Sequence, residues 1–150
     1  MNYMTAERTF LPDGNYKIKS IFSDSLYLTP LSEIITFLNT SSENNQKWKL
    51  QYVEEKNAYK ISNIAQPDKY LTYNSSQFIV LKNIGDSTAL ENYWIPYKIA
   101  SNTYIITNLK EYDKAWDIYD LNGDISDQPL LLQQLFYYEK SNQMFIFEKI

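Results

Sequence analysis

The chain has 150 residues, 44% hydrophobic and 21% charged, with a formal net charge of −4 and neither histidine nor cysteine. Without those two residue types it can hold no Ser-His-Asp or Cys-His triad, no thiolate nucleophile, no disulfide and no zinc-finger or imidazole metal site. An acidic chain with no basic run also lacks the charge that nucleic acids and anionic membranes attract, so neither is expected as a partner.

"MNYMTAERTFLPDG" opens the chain with no apolar core region and no small-residue cleavage site, so it holds no recognisable signal peptide. "PDG" at 12–14 marks a turn, and "NYKIKSI" at 15–21 alternates Tyr16 and Ile18 with Lys17 and Lys19, the pattern of a strand with one face inward. "SLYLT" at 25–29 and the apolar "PLSEIITFL" at 30–38 follow. A polar stretch, "NTSSENN" at 39–45, then leads into "NNQKWKL" at 44–50. The order begins again with "AYKISNI" at 58–64, a turn at "QPDK" (66–69), "DKYLT" at 68–72 and "ENYWIPYKI" at 91–99, where Pro96 predicts an edge or a bulge. A third round runs through "TYIITNL" at 103–109, "KAWDI" at 114–118, a turn at "LNGD" (121–124), the apolar "PLLLQQLFYYEK" at 129–140 and "NQMFIFEKI" at 142–150. No segment reads as a helix longer than a turn or two. The longest aliphatic run, Leu130 to Leu132, is far too short to span a membrane, so no direct membrane insertion is expected.

Three landmarks keep this order in every round: Tyr16, Tyr59 and Tyr104 open the units, "SLYLT", "DKYLT" and "KAWDI" follow with Tyr27, Tyr70 and Trp116 in matching places, and Trp48, Trp94 and Phe145 close them. Repeats of about 45 residues with several short strands suit propeller blades or trefoil lobes, and three units are too few for a propeller. The expected fold is therefore all-β, a β-trefoil with three pseudo-threefold repeats, in one domain spanning 1–150 with lobes at about 10–56, 57–101 and 102–150. No lobe can bury its own apolar face, so each must lend a large side chain to a shared core. Trp48, Trp94 and Phe145 are the expected anchors. Gln46 and Gln143, two residues before their aromatics, would bond backbone groups at the lobe rim, with Asn92 in the second unit.

The phrases "QKW", "NYW" and "QMF" resemble the ricin-type (Gln-x-Trp) β-trefoil family. The longer phrases "ERTFLPDGNYKIKSIFSDSLYLT", "YKISNIAQPDKYLTYN", "KAWDIYD", "QPLLL" and "SNQMF" are similar to the smallest hemagglutinin components of clostridial botulinum neurotoxin complexes. The likeness runs from about Glu7 to Ile150 and is weakest at 30–38 and 82–93. It implies a non-catalytic adaptor subunit without a cofactor, extracellular as part of a toxin complex. Such a subunit links a larger sialic-acid-binding hemagglutinin to a galactose-binding hemagglutinin and supports attachment to, and passage across, epithelium. The alternative is an independent galactose-type lectin using the third lobe.

Galactose-binding lobes of that family carry an aspartate after the second landmark, a stacking aromatic, and an asparagine near the Gln-x-Trp. The resemblance thus implies a carbohydrate site at Asp117 and Asn142, with Leu28 and Leu71 at the aspartate's place in the other two lobes. The stacking position falls near Gln133, so Phe136 would have to substitute. A turn-capping role is the plainer reading of Asp117. One shallow site of this kind would bind at roughly millimolar affinity, near −4 kcal/mol.

Leu132, Leu135, Phe136, Tyr137 and Tyr138 are expected interface residues, because a strand pair needs only alternate positions buried; a core hairpin is the competing reading. Asp113, Asp117, Asp120, Asp124 and Asp127 form an acidic run. A calcium loop needs acids at alternate positions before its glycine, and the positions before Gly123 hold Asn122, Asp120 and Ile118. The run reads as a solvated turn, with no metal ligands and no catalytic residues.

Overall fold

The computed structural model of the chain describes residues 7–39, 43–118, 125–126, 128–136 and 141–150, with Glu43 by its backbone alone. The alternation in the sequence becomes alternation of burial. In β2 (Gly14–Ser20), Tyr16, Ile18 and Ser20 are buried, while Lys17 and Lys19 between them are half-buried. The remaining strands are β1 (Glu7–Arg8), β3 (Tyr27–Leu31), β4 (Ile34–Leu38), β5 (Trp48–Val53), β6 (Ala58–Asn63) and β7 (Lys69–Tyr73). They continue with β8 (Ile79–Asn83), β9 (Trp94–Ala100), β10 (Thr103–Asn108), β11 (Lys114–Ile118), β12 (Leu130–Gln134) and β13 (Phe145–Lys149). The helical elements among the described residues are short 3-10 turns at Glu43–Gln46, Leu90–Asn92 and Ser141–Gln143, ahead of β5, β9 and β13.

Strands β2, β5, β6, β9, β10 and β13 pair antiparallel in a closed ring. The ring closes between β13 and β2, from Phe145 opposite Ser20 to Lys149 opposite Tyr16. The hairpins β3–β4, β7–β8 and β11–β12 cap this barrel. A six-stranded barrel under three hairpins is a β-trefoil, the fold expected from the three rounds of the sequence. Pro96 sits where the outer edge of β9 changes partner. Trp94 is opposite Tyr59 of β6, whereas Tyr97 and Lys98 are opposite Arg8 and Glu7 of β1. A residue without an N–H suits a position between two ladders.

The core is aromatic. Trp48, Trp94, Trp116, Phe37 and Phe145 are all fully buried. Trp116 meets Trp94 with centroids 5.7 Å apart at 64°, and Phe37 stacks on Phe145 at 6.0 Å. Burying each such ring is worth about 2–3 kcal/mol, and edge-to-face pairs add about 0.5–1.5. The indole N–H groups of Trp48 and Trp94 donate to the carbonyls of Leu28 (3.0 Å) and Leu71 (2.9 Å), so the two rings are also anchored to the cap hairpins.

Strand register corrects one sequence expectation. Lys19 is opposite Tyr27, Ser62 opposite Tyr70, and Thr107 opposite Ala115. Counting on by two residues, the equivalents of Asp117 are Thr29 and Thr72, not Leu28 and Leu71; those leucines match Trp116. In the third hairpin the large ring has moved one residue along, from the position of Tyr27 and Tyr70 to the inward-facing one.

Candidate functional site

Asp117 lies near the end of β11, on the face opposite the inward-pointing Trp116, yet is only 3% exposed because all four residues from Ala115 to Ile118 are buried. The 3-10 turn at Ser141–Gln143 brings two side-chain amides to it. Asn142 Nδ2 donates to Asp117 Oδ1 at 3.1 Å, and Gln143 Nε2 donates to Asp117 Oδ2 at 3.0 Å. Gln143 also donates to the Gln134 carbonyl at 2.8 Å and accepts the Phe136 backbone N–H at 3.1 Å. One amide therefore ties β11, the end of β12 and the turn before β13 together. A carboxylate this deeply buried is tolerated because neutral donors meet both of its oxygens.

The first repeat shows the same device with a weaker acceptor, and the second rearranges it. In the first, Gln46 Nε2 donates to Thr29 Oγ1 at 3.2 Å and to the Leu38 carbonyl at 2.9 Å. In the second, the shorter Asn92 reaches Ser87 Oγ at 3.4 Å, and Thr72 Oγ1 donates to the Glu91 carbonyl. Among these three equivalent positions, the third repeat alone places an anionic acceptor beside the Gln-x-aromatic turn. A buried carboxylate flanked by oriented amides is suited to receive hydroxyl donors as well as N–H groups.

The structure thus brings Asp117, Asn142 and Gln143 into one hydrogen-bonded cluster and links Phe136 to it through the backbone. The Phe136 side chain is exposed, and Gln133 is half-buried. Leu132 is corrected: at 1% exposure it belongs to the core, along with Leu130 and Leu131, so this hairpin buries three successive residues rather than alternate ones. It can do so because cap and barrel close on it from both sides. Leu135 is half-buried, its N–H donating to the Asp113 carbonyl at 2.8 Å. Tyr137, Tyr138, Asp120, Asp124 and Asp127 lie outside the described residues. Among the described residues no three acidic side chains gather as a metal site would require, and no helix is long and apolar enough to cross a membrane.

A polar junction between the second and third hairpins is not visible in the sequence pattern. Lys114 Nζ bridges Glu111 (3.1 Å) and Gln77 Oε1 (2.9 Å). Burial alone would raise the Glu111 carboxyl. Hydrogen bonds from Lys114 and then Tyr73, with the Lys114 charge and Gln77, instead hold it below its ordinary value. The threonines equivalent to Asp117 in the first two repeats did leave a sequence signal: "YLT" occurs in both, and pairing its last residue with Asp117 gives the observed equivalence.

Comparison with known proteins adds to this geometry. The model of the Clostridium botulinum HA-17 domain family matches residues 4–150. The chain is 52% identical over 150 residues to "Hemagglutinin component HA-17 type D" of Clostridium botulinum D phage, covering 98% of this chain and 100% of that one. Among solved structures, a mosquitocidal holotoxin superposes with a TM-score of 0.82 at 27% identity, covering 94% of this chain and 18% of the toxin. A ricin B-like lectin of Macrolepiota procera, solved in complex with lactose, gives 0.72 at 15% identity over 95% of this chain and 100% of the lectin, a likeness of fold.

Proposed function

Because the chain belongs to the Clostridium botulinum HA-17 family, we propose that it is a non-catalytic adaptor subunit, joining a larger sialic-acid-binding hemagglutinin to a galactose-binding one within an extracellular toxin complex. The observation that carries this reading is a set of aromatic rings left outside a core that is already filled. Phe10 is 71% exposed and Tyr112 77%, and Phe22 and Phe136 also stand in solvent. Bulky rings of this kind are what assembling surfaces use, because they bury much area at little conformational cost. Supporting attachment and epithelial passage would follow from the assembly as a whole.

The test is reconstitution. Mixed with both larger hemagglutinins, the full chain is expected to form a three-component complex on size exclusion, while either larger component without it does not recruit the other. Failure of the chain to bind either one would refute the adaptor role.

The cluster of Asp117, Asn142 and Gln143 favours a second reading, a shallow galactoside site in the third repeat. Titration with lactose followed by NMR should then show binding at roughly millimolar affinity, lost in Asp117→Thr. Multivalent display could raise such a site's avidity about 10²–10⁴-fold. No response in the wild type at tens of millimolar lactose would dismiss it.

A further inference from the structure

The three seams between barrel lobes are not equally bonded. β2 meets β5 from Gly14 opposite Leu50 to Tyr16 opposite Trp48. β10 meets β13 at Thr103 and Tyr104, and Phe147 N–H extends that ladder to the Asn102 carbonyl at 3.0 Å. Among the described residues β6 meets β9 only where Tyr59 lies opposite Trp94. The next bond would run from position 96 to the Asn57 carbonyl, the places that Phe147 and Asn102 hold in the third repeat. Pro96 has no N–H to give. A crevice of about 150 Å³ lies there, with Asn57, Tyr59 and Pro96 in its walls.

The N-terminal segment crosses this gap and holds both sides. Toward β9, Glu7 and Arg8 pair with Lys98 and Tyr97, and Thr9 N–H donates to the Pro96 carbonyl at 3.3 Å. Toward β6, the Tyr59 hydroxyl clasps Leu11 through both its N–H and its carbonyl. Toward β5, Phe10 meets Tyr52 edge to face at 5.0 Å, and Asp13 Oδ1 accepts the Tyr52 N–H at 2.9 Å. Leu11 is only 6% exposed and lines a small apolar void with Leu50, Ile61, Ile106 and Phe147. Its burial and these few bonds stand in for the ladder that the proline removes.

We propose that residues 7–13 form a strap that staples the barrel across its proline-broken seam, and that strap and seam release together as a local unit. Parting β6 from β9 leaves one continuous sheet, β6-β5-β2-β13-β10-β9, with the ladders of its hairpins intact. The loss is confined to the strap, the Tyr59–Trp94 bridge and the outer contacts of Ala58 with Tyr93 and Ile95. An opening that breaks so few contacts lies below global unfolding in free energy. With the strap off, the apolar lining beneath Leu11 faces solvent. The strap is thus a lid on the barrel mouth, at the end of β2 away from its cap hairpin.

Because the chain has no cysteine, one introduced thiol reports opening directly. Ala58→Cys places it at the seam and Ala115→Cys in the third cap hairpin, at positions 1% and 0% exposed. Labelling by a disulfide reagent is followed in the full chain under native conditions, each rate normalised to that of the unfolded chain. The seam thiol should react at least about tenfold faster than the cap thiol. Ile35→Val, in the first cap hairpin, should speed the cap thiol by roughly two- to tenfold and leave the seam thiol unchanged. Leu11→Ala, in the strap, should speed the seam thiol by about tenfold or more. Should that variant fail to fold, Leu11→Val is expected to speed it by about threefold. Pro96→Val, which returns an N–H to the seam, should slow it. A seam thiol that follows Ile35→Val as the cap thiol does would make the opening global and overturn the proposal. A seam rate indifferent to the strap variants, or not slowed by Pro96→Val, would overturn it as well.

Discussion

Trp116 and Phe145 meet edge to face, with centroids 5.7 Å apart and planes at 81°, and between them they invert the arrangement of the other two repeats. There an indole, Trp48 or Trp94, sits at the anchor position over a leucine, Leu28 or Leu71, and donates to that leucine's carbonyl. In the third repeat the indole occupies the leucine's place, and Trp116 Nε1 has no hydrogen-bond partner among the described residues. The two tryptophans should therefore respond differently to the same change. Trp48→Phe removes volume and also strands a buried carbonyl, whereas Trp116→Phe removes volume and an unpaired donor. Urea denaturation should find Trp48→Phe more costly by about 1 kcal/mol. Equal losses would contradict the assignment.

Asp117 can be tested for stability apart from binding. Thr29 accepts from Gln46 at the equivalent place, so Asp117→Thr keeps an acceptor for Gln143. Asp117→Leu leaves that amide an acceptor short. Guanidinium unfolding should show the leucine variant less stable than the threonine variant by about 1–2 kcal/mol. The reverse order would mean that an acceptor for Gln143 is not what the fold requires at this position.

Glu111 gives the protein a marker at acid pH. Its folded pKa is depressed, so its contribution is present above the ordinary carboxylate range and is lost as pH falls through the lowered folded value. Glu111→Gln should lower the thermal midpoint at neutral pH and flatten the acid limb of the midpoint–pH curve. Parallel curves for wild type and variant would show that the junction with Lys114 and Tyr73 carries no such linkage.

Tyr59 does the converse at alkaline pH. Its hydroxyl donates to the Leu11 carbonyl and accepts the Leu11 N–H, both at 2.7 Å. Burial pushes its pKa up to about 12. A raised folded pKa leaves stability intact below the ordinary tyrosine value and erodes it as pH climbs from there toward about 12. Tyr59→Phe should be less stable at neutral pH yet lose less on the alkaline side, as followed by tryptophan fluorescence. An unchanged alkaline slope would place that titration elsewhere.

The fold was legible because its constraint is repeated: Tyr16, Tyr59 and Tyr104 open equivalent barrel strands, and Trp48, Trp94 and Phe145 end in one core. What misled was local. Aligning Trp116 with Tyr27 and Tyr70 by ring size placed Asp117 against leucine, because a one-residue shift along a strand exchanges its faces and composition does not record it. Leu132 looked surplus because alternation assumes one wet face, and the third hairpin has none at that point. Asp117 and Asn142 were legible as neighbours, whereas Gln143, expected to bond only backbone groups at the lobe rim, also donates to Asp117. The junction of Glu111, Lys114 and Gln77 was not legible, since it depends on two hairpins meeting in space.

The pairing of β13 with β2 bears on how the chain must be made. During synthesis β2 finds β5 early, but its opposite edge waits for Phe145–Lys149, which follow only after the rest of all three repeats. β1 likewise stays idle until Tyr97 and Lys98 exist to receive it. A nascent chain therefore carries an unclosed sheet until the third repeat is complete. Ring closure, and the cooperativity that comes with it, is a single late event.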